Sequence, residues 1–120
     1  MKVLFVQEKP FLSTALRLTL SSIGYDLIFS NTTSQPLSII EEVNPQIIIT
    51  DITEAIGINY LVEAKKKNMP VIVLSENGQE DELQKAFNMG ADDYMCAPLS
   101  IQELALRVSL LTRTKVQTAA

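Results

Sequence analysis

The sequence predicts an α/β domain: a five-stranded parallel sheet with helices on both faces. Three observations lead there. Short runs rich in β-branched and aromatic residues alternate with longer stretches of helical period. The runs begin near residues 3, 26, 47, 71 and 93, leaving 23, 21, 24 and 22 residues between starts, about what a strand, a helix and two loops need. Most of the runs lack the in-out alternation of a half-exposed strand, which suits strands covered on both sides. Right-handed crossovers then make the sheet parallel and place helices on either face.

Taken in order, Val3–Val6 is the first strand, and the stretch from Phe11 to Ser22 is the first helix. In that helix Leu12, Ala15, Leu16, Thr19 and Leu20 share a face, and Gly24 stops it. Leu27–Phe29 is the second strand. Ser34 to Val43 is a shorter helix, with Pro36 early and Leu37, Ile40 and Val43 along one side, ending before Pro45. Ile47–Ile49 is the third strand, and Ile58 to Lys67 a third helix carrying Leu61, Val62 and Ala64. Its closing Lys65, Lys66 and Lys67 read as a solvated face that complements the helix dipole. Gly57 and Gly90 read as turn glycines. Val71–Leu74 is the fourth strand, Glu80–Met89 the fourth helix, and Asp93–Cys96 a weaker fifth strand. Ser100 with Glu103 forms a capping box that opens the last helix, Ile101 to about Arg113. The tail from Thr112 to Ala120 is expected to fray or to lead into a further segment.

Composition narrows the function. The 120 residues form a single domain by size, 47% hydrophobic and 20% charged, which excludes disordered and low-complexity classes. A formal charge of -4 has the wrong sign for direct nucleic-acid binding. The chain has no His, which removes His-based general bases and most zinc sites. Its one Cys, Cys96, allows no internal disulfide and reads as a small buried hydrophobe. No run approaches a membrane span, and the cytoplasm is the expected compartment.

In an open parallel sheet, ligands bind beyond the carboxyl ends of the strands. The polar residues there are Gln7-Glu8, Ser30-Asn31, Asp51 and Ser75. If their strands are neighbours, the carboxylates of Glu8 and Asp51 converge with the Ser75 hydroxyl, and a hard cation such as Mg²⁺ would relieve their repulsion. The plainer reading is that Asp51 is a turn residue and Ser75 a helix cap. No phosphate-cradling glycine loop follows any strand.

The segments Lys2–Pro10, Asn44–Asp51, Met69–Ser75 and Gly90–Pro98, in that order, resemble the receiver domain of two-component response regulators. The likeness covers residues 2 to about 115. From Gly90 to Leu104 it resembles the receivers of winged-helix transcription regulators. The resemblance implies a CheY-like, flavodoxin-like fold of strand order 2-1-3-4-5 over residues 1–120, as a whole protein or the amino-terminal part of one. It implies a phospho-acceptor at Asp51, a switch hydroxyl at Ser75 and an aromatic switch at Tyr94. It also implies Mg²⁺ held by Glu8, Asp51 and the backbone carbonyl of Thr53. A histidine kinase would supply the phosphoryl group, and the domain would not be a freely turning-over enzyme. A symmetric, weak homodimer through the fourth helix, fifth strand and fifth helix is expected, with Asp93, Arg107 and Glu103 at ion-pair positions. The plain reading of Asp92, Asp93 and Arg107 is solvated surface.

The chain departs from the receiver pattern at several of these positions. Gln7 stands where a second metal-binding acid is usual, and Ala97, before Pro98, where a lysine pairs with the acceptor. Glu54-Ala55 and Asn59 replace the usual Met-Pro and glycine, with a slightly short third helix. The Ala97 departure removes a cation whose hydrogen bonds to a charged group are worth roughly 1.5–3 kcal/mol. The expectation is therefore an atypical receiver acting mainly as an interaction module. The alternative is a working receiver that accepts phosphate on Asp51 and controls a carboxy-terminal DNA-binding domain.

Overall fold

The computed structural model describes residues 1–6, 13–30, 35–50, 55–75, 80–96 and 100–119. Strands β1 (Lys2–Val6), β2 (Asp26–Ser30), β3 (Ile47–Thr50), β4 (Val71–Ser75) and β5 (Asp93–Cys96) form one parallel sheet of order β2-β1-β3-β4-β5. Between and after them run α1 (Ser13–Ser22), α2 (Pro36–Val43), α3 (Ala55–Lys66), α4 (Glu80–Asn88) and α5 (Ile101–Ala119). Both the expected fold class and the strand order hold.

Alternation along each strand splits the apolar side chains into two cores. Val3, Phe5, Leu27, Ile47, Ile49, Ile72, Leu74 and Met95 face α1 and α5, meeting Leu16, Leu20, Leu104 and Val108. Leu4, Val6, Ile48, Val71 and Val73 face α2, α3 and α4, meeting Ile40, Tyr60, Leu61, Ala64 and Ala86. The central strands β3 and β4 are buried along their whole length, so their unbroken apolar runs follow from having helices on both sides.

Chain reversals are set by local chemistry. Gly24, with φ 92°, ends α1, and Gly90, with φ 100°, ends α4. Asn44 takes the left-handed conformation at the end of α2, φ 51°, and its N–H donates to Ile40. The N–H of Glu103 donates to Ser100 Oγ at 3.2 Å, confirming the cap on α5. The reciprocal half of that capping box is replaced, because the Glu103 carboxylate turns to Arg107 instead.

Four local expectations are corrected. Helix α3 begins at Ala55, not Ile58, so Gly57 lies inside a helix instead of a turn. Helix α5 continues to Ala119, past the expected end near Arg113, and neither Gly nor Pro stands in that stretch to stop it. Lys65 is not a solvated end residue: its ammonium donates to the Met69 carbonyl at 3.2 Å and to Asp92 Oδ2 at 2.9 Å. Asp92 Oδ2 also accepts the N–H of Val71 at 2.8 Å, so one carboxylate ties α3 to the starts of β4 and β5. Cys96 is exposed, not buried, because β5 is an edge strand with only β4 beside it.

On the other side of the sheet, the Tyr25 hydroxyl donates to Thr112 Oγ1 at 2.6 Å. Thr112 in turn gives its proton to the Val108 carbonyl, so a buried polar chain joins the entry to β2 to α5.

Candidate functional site

At the carboxyl edge of the sheet the strands turn from apolar to polar. Ser30, Thr50 and Ser75 close β2, β3 and β4 and are all buried. Alternation from Ile28, Ile48 and Val73 places them on the face covered by α2, α3 and α4. Leaving a buried hydroxyl unpaired costs about 1–3 kcal/mol, so its partner carries information. Ser30 Oγ shares a hydrogen bond with the buried Tyr60 hydroxyl of α3 at 2.8 Å. Ser75 Oγ donates to Glu82 Oε2 at 2.6 Å, a short hydroxyl-to-carboxylate bond of the charge-assisted kind. Glu82 sits with Glu80 and Asp81 in the first turn of α4, where carboxylates suit the positive end of the helix.

Tyr94 of β5 lies level with Val73 in the β4–β5 register, and Cys96 level with Ser75. Tyr94 packs against the same core as Ser75, and its buried hydroxyl has no hydrogen-bond partner among the described residues. Ser75 and Tyr94 thus share one sheet face.

Asp93 and Arg107 do not lie apart as solvated surface. Arg107 grips both oxygens of Asp93 at 2.6 and 2.7 Å and adds Glu103 at 2.9 Å. Those contacts, Asp93 first and then Glu103, hold the guanidinium pKa above its ordinary value. The side chains remain part-exposed, so the network fixes β5 against α5 more than it adds stability.

Gln7, Glu8, Asp51, Thr53, Glu54, Ala97 and Pro98 lie outside the described residues. Chain order alone relates them to the edge: Gln7 follows Val6 of β1, and Asp51 follows Thr50 of β3. These two strands are neighbours, paired from Val3↔Ile47 to Phe5↔Ile49, and β4 flanks β3 on its other side. Among the described residues no group of three or more His, Cys, Asp or Glu side chains is placed to hold a metal ion. No helix there is long and apolar enough to cross a membrane.

A five-stranded parallel sheet of order 2-1-3-4-5 with helices on both faces is the architecture of a known family. Residues 3–109 match the response regulator receiver domain. The chain belongs to this family. Receivers are signalling modules of two-component systems and not turnover enzymes. This receiver is 28% identical to the alkaline phosphatase synthesis transcriptional regulatory protein PhoP of Bacillus subtilis, over 93% of this chain and 48% of that protein. It is 30% identical to the transcriptional regulatory protein PmrA of Pectobacterium parmentieri, over 94% of this chain and 53% of the relative. The chain thus spans about half the length of the curated relatives it matches. Among solved structures, the receiver domain of the Francisella response regulator 1452 superposes with a TM-score of 0.79 at 27% identity, over 95% of this chain and 98% of that one. A CheY-like receiver from Methanospirillum hungatei JF-1 shares the fold with a TM-score of 0.84 at 20% identity, over 98% and 97% of the two chains.

Sequence reasoning did not single out Glu82, Thr50 or Tyr60. Glu82 is one of three acids in the first turn of α4, and only the approach of α4 to β4 reveals its partner. Thr50 and Tyr60 carried a weak signal: polar groups at the rim of otherwise apolar stretches.

Proposed function

We propose that this receiver accepts a phosphoryl group on Asp51 from a histidine kinase and reports it through Ser75, Tyr94 and the α4–β5–α5 face. The observation that carries the reading is the shared edge: β1, β3 and β4 are neighbours, Asp51 directly follows β3, and Ser75 closes β4 on the face that holds Tyr94. In the transfer, an Asp51 oxygen forms a bond to phosphorus as the donor's bond to phosphorus breaks, and the electron pair leaves with the donor imidazole. Glu8, Asp51 and the Thr53 carbonyl are the residues that would hold Mg²⁺, which would offset charge on the transferring group. The reading places the domain in the cytoplasm and, through a carboxy-terminal partner domain, in control of transcription. A second copy of the chain on the α4–β5–α5 face is its expected weak partner.

The test is incubation with a small-molecule phosphodonor and Mg²⁺. The expected outcome is one label per chain, lost in Asp51→Asn. An unlabelled wild type would overturn the reading.

A second reading, an interaction module with weak or no phosphorylation, is favoured by Gln7 and Ala97, which lack the usual acid and cation. It predicts that Gln7→Asp combined with Ala97→Lys gains label that the wild type lacks.

A further inference from the structure

We propose that Glu82 is an intrachain latch on the Ser75 hydroxyl, and that a phosphoryl group on Asp51 has to take Ser75 from it. The second half rests on Asp51 being the acceptor; the first half rests on geometry alone.

A serine hydroxyl has one proton to donate. Here that proton goes to Glu82 Oε2 at 2.6 Å. An ionised carboxylate accepts but cannot donate, and the same is true of a phosphoryl oxygen, so both would compete for that one proton. Burial at the serine end sharpens the competition, because Ser75 is only 5% exposed although its bond to Glu82 is part-buried.

Losing the contest would loosen α4. Among the described residues of that helix, Ala86 is the one fully buried, while Glu80, Asp81, Gln84, Lys85, Phe87 and Asn88 are exposed. A helix so thinly packed depends heavily on its polar ties, and the Ser75–Glu82 bond fastens its first turn to the end of β4. On the same sheet face the buried Tyr94 hydroxyl has no partner among the described residues. The region under α4 therefore pairs a hydroxyl committed to Glu82 with one lacking a described acceptor. Breaking the latch frees the first turn of α4 to move, which couples the sheet edge to the helix that borders β5.

The experiment compares wild type, Glu82→Ala, Glu82→Gln, Ser75→Ala and the Ser75→Ala/Glu82→Ala double variant. Amide hydrogen exchange over residues 84–88, whose N–H groups point back to the first turn of α4, is read first, without any phosphodonor. Each alanine variant should exchange about tenfold faster there, the lower end of what a hydrogen bond to a charged group is worth, and the double variant no faster than either. Glu82→Gln, which keeps an acceptor without the charge, should fall between. Effects that add in the double variant would overturn the latch, as would unchanged exchange in Glu82→Ala. Labelling of Asp51 is read second, with acetyl phosphate and Mg²⁺. It should proceed several-fold faster in Glu82→Ala than in wild type, and equal rates would overturn the competition. If no variant takes label, the acceptor reading fails while the exchange cycle still decides the latch.

Discussion

Gly24 and Gly90 both sit at positive φ, yet a side chain would meet different surroundings at each. A Cβ on Gly24 meets nothing within 4 Å, whereas one on Gly90 falls 3.1 Å from Lys65 Cγ. Lys65 cannot give way easily, because its ammonium is held by Met69 and Asp92. Gly24→Ala should therefore cost about 1–2 kcal/mol for its backbone conformation, and Gly90→Ala measurably more. Urea denaturation of the two variants checks the order, and equal losses would refute the contact argument. Residue identity was legible where one residue type answers a local need, as with the glycine stops and the Ser100 cap. It was not legible for Lys65 or Cys96. The first gains Met69 and Asp92, which lead into β4 and β5, and the second loses cover because β5 lies at the edge; both depend on which elements end up side by side.

At the scale of elements, polar ties join pieces distant in sequence. Asp92 links α3, β4 and β5 through one oxygen. Asp92→Ala leaves the Val71 N–H without that acceptor and should cost about 1–3 kcal/mol in chemical denaturation. Arg107→Ala removes only a part-exposed network and should cost less than about 1 kcal/mol. Tyr60→Phe removes the Ser30 contact between α3 and β2, with an expected loss of about 0.5–1.5 kcal/mol. Element type and order were readable from periodicity, since each apolar run and each helical stripe reports its own burial. Boundaries were less so. The start of α3 and the length of α5 lie where the apolar period is weak, and backbone hydrogen bonding carries the helix further than its stripe.

For the molecule as a whole, two cores lie on opposite faces of one sheet, and volume removed from either should lower the stability of the whole fold. Ile48→Ala, at a fully buried site on β3, should lose about 2–5 kcal/mol of stability. The proposed homodimer would use the α4–β5–α5 face. Asp93, Glu103 and Arg107 already satisfy one another within a single chain, so cross-subunit pairs would replace existing bonds and gain little net energy. Association should therefore be weak, visible by sedimentation near ~0.5 mM, where a strict monomer would argue against this face. The sequence by itself determined the five βα units, the parallel sheet and the candidate residues that follow its strands, because these depend on local period and chain order. Tertiary structure alone decided that Ser75 belongs to Glu82, that Asp93 closes on Arg107 and that Lys65 is tied down. Each of those contacts pairs groups brought together by packing, and a linear pattern carries no record of which partner arrives.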